Sequence, residues 1–414
     1  MIMLSQQQRI FFEFLRFCIG TVQEVPSSLK GADWRVLYAM ARKQCLVGVL
    51  FDGIKRLPAD VGMDKGLLFQ WMAQNQTLRK ANARLDKAAV EVAEWFGRKG
   101  FRTCVLKGQG NALLYPPGME RTPGDIDLWV DGGDRKVVSF VRSLSPDEKV
   151  CYHHIGFPEY NGVEVEVHFR PSFLFCFRHN RRLQGYYERV MDEQFAHRVK
   201  LGEQGDVAVP KAEFNLIFQL THIFTHLMNE GIGLRQLLDY FFLLKNTDFI
   251  GNTDGDGFLL NTNCSDNTDK FSGSAEKHSG DWGDSCSSIL GSDSSELTDG
   301  VDRRLLRDEL RRLGLWEFAG AVMYIMKEVF GLEDNRLIVP PDVKRGRLVL
   351  KEVLEAGNFG RYDKRNWFGH SALGHNLQRL YRDMRLVRYF PEEALSEPFF
   401  RIWHFFWRKR IVRK

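Results

Sequence analysis

The stretch Arg121-Thr122-Pro123-Gly124-Asp125-Ile126-Asp127-Leu128-Trp129-Val130 decides how this chain is read. Pro123 and Gly124 make a turn, and Ile126–Val130 is apolar and β-prone, so the segment reads as a turn feeding a strand. Side chains alternate along a strand, which points Asp125 and Asp127 to one face. Two carboxylates a few ångströms apart repel each other unless a cation sits between them. Oxygen-only ligands suit Mg²⁺ or Mn²⁺, which keep several waters and share oxygens with substrate phosphates.

Upstream, Thr103-Cys104-Val105-Leu106 is a short β-prone run, followed by the turn-rich Lys107-Gly108-Gln109-Gly110. A short helix is predicted over 111–115. Backbone N–H groups at a helix start favour phosphate, so Lys107, Gly108 and Gly110 are candidate nucleotide contacts. Arg121, four residues before Asp125, is a second candidate phosphate contact.

Downstream, 131–144 reads as a helix. Asn161-Gly162 is a hairpin-type turn, and it leads into Val163-Glu164-Val165-Glu166-Val167-His168-Phe169, which alternates strictly. The valines take one face; Glu164, Glu166 and His168 take the other. Either glutamate can supply a third carboxylate. Three such groups can hold two metal ions, one activating an attacking hydroxyl and one stabilising a leaving pyrophosphate. His168 is either a hydrogen-bonding neighbour of those ligands or a ligand itself.

The rest of the chain reads as mostly helical. Over 5–100, Ile10, Phe11, Phe14, Leu15 and Cys18 recur at helical spacing, which marks an amphipathic helix and not a signal peptide. A long periodic helix is predicted over 67–96, with Leu68, Trp71, Met72, Leu78, Leu85 and Val92 on its apolar stripe. Gly97 and Gly100 lie at its end, where a glycine can take the left-handed cap. Helical patterns recur over 213–245, 301–331 and 376–389. His222 and His226 stand at i, i+4, a spacing that can bind zinc, but no glutamate follows His222 as in the H-E-x-x-H pattern. Packing, or contact with a ligand across a cleft, are the other readings of the pair. Arg235 and Asp239 read as an i, i+4 ion pair.

Composition bounds the rest. The 414 residues suggest two or three domains, and the 44% hydrophobic content can build a core. No stretch reaches ~18 uncharged apolar residues, so no transmembrane helix is expected. Seven cysteines without CxxC spacing point to reduced thiols and a cytoplasmic setting. Residues 246–300 hold eleven acids and two lysines, a balance of −9 against the chain's +5, which leaves +14 elsewhere. That segment, rich in Ser, Asp, Gly and Asn, reads as a disordered acidic insertion without EF-hand spacing. The basic remainder favours an anionic partner: nucleotide phosphates, nucleic acid or a membrane surface. Residues 401–414 combine six cations with Ile402, Trp403, Phe405, Phe406, Trp407 and Ile411 and no acid. This tail either packs its rings on the domain or makes a peripheral contact with an anionic membrane.

Taken together, Lys107-Gly108, Arg121, Gly124-Asp125-Ile126-Asp127-Leu128 and Val165-Glu166-Val167-His168 resemble the uncharacterised nucleotidyltransferase family of bacteria, related to the DNA polymerase beta-like superfamily. The resemblance is specific over about residues 100–170. It is looser over the later helices, where His222, His226, Arg235 and Asp239 are similar to the family's H…H…R…D pattern. It implies nucleotidyl transfer from a nucleoside triphosphate with Mg²⁺ to an unknown acceptor, whether small molecule, protein or RNA. It also implies Asp125, Asp127 and Glu166 as metal ligands, with Glu164, His168, His222 and His226 around them. Glu166 is preferred to Glu164 because it stands two residues from His168 in the family-like pattern. The superfamily's turn reads Gly-Ser or Gly-Gly, whereas this chain has Gly108-Gln109-Gly110 and lacks the phosphate-contacting serine. Two alternatives therefore stand beside the enzyme: a degenerate nucleotide-binding protein, and a membrane-peripheral accessory protein of surface-polysaccharide synthesis.

The expected architecture is α+β: a small nucleotidyltransferase-type mixed sheet with helices, flanked by helical regions. The expected divisions are a helical 1–100, an α/β core over 101–210, helical 211–245 and 301–414, and the insertion 246–300.

Overall fold

Capping and spacing set the first helices. The computed structural model describes residues 4–58, 61–250, 300–368 and 372–412. In α1 (Gln6–Cys18), Ser5 and Gln8 form a reciprocal capping box, and Phe11, Phe14, Leu15 and Cys18 are buried as their spacing predicts. Helices α2 (Trp34–Lys43) and α3 (Val47–Ile54) follow, with α3 against α1. Asp64 caps α4 (Lys65–Arg98), and Gly100 takes the left-handed conformation at its end (φ +81°), while Gly97 stays within the helix. In its first turns only Leu67 and Trp71 are buried. Leu68 and Met72, expected on the apolar stripe, are 39% and 48% exposed.

Four strands make the sheet. After β1 (Thr103–Val105) come α5 (Gln109–Ala112), β2 (Ile126–Val130), α6 (Gly133–Leu144), β3 (His154–Tyr160) and β4 (Val163–His168). The order is β1-β2-β4-β3. The β2–β4 pair is parallel and the outer pairs are antiparallel, so the sheet is mixed as expected. Asn161 and Gly162, at φ +53° and +71°, close the β3–β4 hairpin with the double positive-φ turn that suits strand twist. Ile126, Leu128, Val130 and the three β4 valines pack with Ala88, Ala89, Val92 and Phe96 of α4 and with Val137, Val138 and Val141 of α6. Phe96 is fully buried, and its truncation to alanine would cost about 3–5 kcal/mol. Trp129 points to the opposite face, 4.7 Å from the ring of Phe195 and 5.7 Å from that of Phe214. Asp127, two residues away, shares that face.

Beyond the sheet come α7 (Phe177–Ala196), the hairpin β5 (Arg198–Leu201) and β6 (Gly205–Ala208), α8 (Ala212–Asn229) and α9 (Leu234–Asn246). The helical run expected over 213–245 is thus two helices. Gly231 has φ +111° at the break, and a Cβ on Gly233 would lie 2.9 Å from the Asn358 backbone, so the chain turns where it is pressed against a later segment. The expected insertion falls mostly on 251–299, outside the described residues. Its first part is ordered: β7 (Phe249–Ile250) pairs in parallel with β8 (Val301–Asp302).

Helices α10 (Arg303–Arg312), α11 (Trp316–Glu328), α12 (Val343–Ala356), α13 (Ala372–Leu386) and α14 (Pro391–Val412) complete the chain. The aromatic–basic tail is the second half of α14. One face packs: Trp403 and Trp407 each lie 5.5 Å from the Tyr152 ring, and Phe400 stacks on Phe173. The other face, with Ile402 and Phe406, is exposed. The fold is α+β, and among the described residues no helix is long and apolar enough to cross a membrane.

Candidate active site

Asp127 and Glu166 are register partners on the two central parallel strands, so their side chains rise side by side from one sheet face. Asp127 is 1% exposed. His168 Nε2 lies 2.9 Å from Asp127 Oδ1 and 3.4 Å from Glu166 Oε2, and bridges the two acids. Lys107 Nζ is 3.0 Å from Asp127 Oδ2, but that oxygen accepts no aligned hydrogen bond and is buried. Asp125, just before β2, is half-exposed and has no ion-pair partner among the described residues. Of the two candidate glutamates, Glu166 is half-buried between His154 (3.4 Å) and His168, whereas Glu164 is exposed one pleat away.

The charges are held by one another. Burial opposes ionisation of Asp127, but Lys107 and the His168 hydrogen bond outweigh it and keep the carboxyl below its ordinary range. Burial likewise opposes ionisation of Glu166, yet His168 and His154 hold its carboxyl at about 2. The two acids in turn overcome the burial of His168 and raise it to about 9. Lys107 is raised against its burial by Asp127, Asp125 and Glu166. Burial, with Asp125 and Glu166 added, pushes Glu164 up. Burial keeps His154 near about 4 and His153 and His222 well below the usual imidazole range, so these three are neutral at pH 7.

The carboxylate and imidazole atoms of Asp127, Glu166 and His168 lie within 4.8 Å of one another. Glu166 and Asp125 line one cleft, and Asp127, whose Oδ2 accepts no aligned hydrogen bond, shares the adjoining hollow with Asp125, so the three form an oxygen-rich donor set that fits a hard divalent cation.

Other expected contacts are arranged differently. Arg121 lines a small hollow with Lys107, Asp125 and Asp127, but its hydrogen bonds go to a buried acid. Its Nε and Nη2 donate to the two oxygens of Asp239 at 2.8 and 2.7 Å, and the Tyr115 hydroxyl donates to the same carboxylate at 2.7 Å. All three side chains are buried, so Arg121 is committed to this clamp. The i, i+4 pairing of Arg235 with Asp239 is therefore replaced: Arg235 donates to the Thr122 carbonyl at 3.0 Å and leaves Asp239 to Arg121.

The glycine turn is tighter than expected, because the helix starts at Gln109 and ends at Ala112. Gly108 takes φ +64°, and Gly110 packs against Val209. Gln109, standing where the serine would be, is buried and hydrogen-bonded to Asp86 of α4. His222 Nε2 stands 3.3 Å from Lys107 Nζ, and its ring meets that of His226 at 4.3 Å. Among the described residues the two histidines join no three-ligand cluster, which leaves them as cleft-wall groups behind Lys107.

Lys107, Asp125, Glu164, Glu166, His222 and His226 open into a cleft of about 790 Å³ between the β3–β4 edge, α8 and the C-terminal helices. Sequence reasoning passed over His153 and His154, which back Glu166, and over Lys149, Arg379 and His404 in the cleft lining, and it placed Arg401 and Arg408 only in a basic tail. The 401, 404, 408 spacing, one face of a helix, was the readable signal for three of them.

Residues 30–256, more than half of the chain, match the family described as uncharacterised nucleotidyltransferase. No curated protein matches the chain. Among solved structures, an antigenic nucleotidyltransferase-like protein from Paracoccidioides brasiliensis aligns at 16% identity and a TM-score of 0.26. The alignment covers 39% of this chain and 75% of that one.

Proposed function

The chain belongs to the family of uncharacterised nucleotidyltransferases, and on that premise we propose that it transfers a nucleoside monophosphate from a nucleoside triphosphate to an acceptor hydroxyl. The observation that carries the reading is Asp127 and Glu166 in register on parallel strands, with a buried oxygen of Asp127 left without a hydrogen bond. Asp125, Asp127 and Glu166 would hold Mg²⁺ or Mn²⁺. Bound there, the metal would neutralise charge on the α-phosphate and the leaving pyrophosphate. His168, hydrogen-bonded to Asp127 and ion-paired with Glu166 through the same Nε2, fixes their orientation. Lys107, the cation nearest the acids, would meet a phosphate, with Gly108 permitting close approach of the backbone. Placement in the DNA polymerase beta-like superfamily and a bacterial source belong to the same proposal.

One observation favours a second reading, nucleotide binding without turnover. The two oxygens of Asp127 already face His168 and Lys107, so its charge is compensated without a metal. The test is incubation of the purified protein with each labelled nucleoside triphosphate, Mg²⁺ and a cell extract. Label transferred above an Asp125→Ala/Asp127→Ala control supports the transferase. Metal-dependent nucleotide binding with no transfer would leave the second reading standing.

A further inference from the structure

Asp125, Glu164 and Glu166 line the cleft, and so do the cations Lys149, Arg379 and Arg408. Lys149 precedes β3, Arg379 lies on α13 and Arg408 on α14. All three bear electrostatically on the Cys151 thiol, as does Glu166, so the cations and the metal-site acid flank one point in the cleft. Arg379 and Arg408 also act together on His404, whose Nε2 is buried without a hydrogen-bond partner.

Arg379 has a distant carboxylate, Glu397 at 3.8 Å, and that acid is more closely held by Arg401 at 3.2 Å. Lys149 and Arg408 have no ion-pair partner among the described residues. Cations brought together inside a concavity, two of them unpaired, repel one another and favour an anion between them. The cleft, about 790 Å³, is at the upper part of the roughly 300–1,000 Å³ range of ligand pockets. Arg379 and Arg408 lie beyond residue 256, outside the segment that matches the family, and Lys149 lies within it.

We propose that Lys149, Arg379 and Arg408 form a phosphate site for the acceptor, which makes the acceptor a phosphate-bearing molecule held in the cleft beside the carboxylates. This rests on the transferase reading above.

The test uses the full chain and calorimetric titration with two probes: inorganic phosphate, and a non-hydrolysable nucleoside triphosphate analogue with Mg²⁺. The variants are Lys149→Ala/Arg408→Ala and Asp125→Asn, none of which removes an ion-pair partner from a buried group. Lys149→Ala/Arg408→Ala is expected to weaken phosphate binding at least tenfold and leave the analogue within about twofold. Asp125→Asn is expected to do the reverse, and Lys149→Arg/Arg408→Lys to restore phosphate binding. Phosphate affinity unchanged in Lys149→Ala/Arg408→Ala overturns the site. A parallel loss of analogue affinity in that variant assigns the cations to the donor's own polyphosphate and overturns the acceptor assignment. If the analogue fails to bind the unaltered protein while phosphate binding still depends on Lys149 and Arg408, the transferase reading falls and the acceptor assignment falls with it.

Discussion

Asp127 and Asp239 are both buried aspartates with a cation within 3.0 Å, and they end in opposite states. Asp239 receives a forked grip from Arg121 and a third bond from Tyr115, so its lone pairs are used by fixed protein donors. Asp127 receives one aligned bond, from His168, and its second oxygen faces a lysine and a small hollow with its hydrogen-bonding capacity unfilled. Burial and charge are the same in the two places. What separates a structural clamp from a candidate metal ligand is the unfilled oxygen and the open space in front of it.

The sharpest test of that contrast is Asp127→Asn, which keeps the shape and removes the charge. Nucleotide transfer should fall by about 10⁴-fold, roughly 5.5 kcal/mol at 1.36 kcal/mol per decade, with circular dichroism unchanged. Label transfer at the unaltered rate would make Asp127 a second structural clamp. The converse variant is Arg121→Ala, which strands a buried carboxylate and should lower unfolding stability by about 3–5 kcal/mol in urea, with transfer per folded molecule near normal. A hundredfold loss of transfer at unchanged stability would instead return Arg121 to the phosphates.

Within the acids, Glu166→Gln should lower transfer by about 10²-fold and Glu164→Gln by no more than about threefold, the range seen for groups that ligate or orient a metal against those that do not. Equal effects would erase the distinction drawn from register and His168.

The smallest effect belongs to a third kind of buried aspartate. Asp383 faces another acid, Glu397, and burial together with that neighbour pushes its carboxyl up to about 8. Arg379 and Arg401 face the pair from α13 and α14 and only partly offset it. Between about pH 4 and pH 8 the folded chain holds a proton that the unfolded chain has released, so Asp383 erodes stability as pH rises through that window. Asp383→Asn should raise Tm by a few degrees at pH 8 and not at pH 4. A Tm difference independent of pH would remove the titration from the account.

These contrasts also show what was legible beforehand. The β2 boundaries, the Asn161-Gly162 turn and the shared face of Glu164, Glu166 and His168 follow from local alternation and turn chemistry, and all stand in the structure. Local rules could not reach Arg121, because the residue that claims it is 118 positions away on α9. The i, i+4 rule named Arg235 as Asp239's partner, and a better-aligned distant arginine displaced it. Gln109 looked like a defect in a phosphate turn; its amide is instead spent on Asp86 of α4, a contact no spacing reveals. The split between α8 and α9 likewise depends on Asn358 pressing on Gly233. Packing and a membrane surface are the two readings of the tail, and α14 has a face for each: Trp407 packs beside Tyr152, Trp403 touches that ring while staying 40% exposed, and Ile402 and Phe406 face outward.

The two-residue pairing of Phe249 with Val301 and Ile250 with Asp302 gives this chain a ready seam. It holds Phe249 and Ile250, at the exit, about one strand spacing, roughly 4.8 Å, from Val301 and Asp302, at the return. To a protein engineer that is an insertion port. A folded reporter with adjacent ends, substituted for residues 251–299, would ask neither α9 nor α10 to move, and the same seam could serve as a pair of new chain ends after permutation.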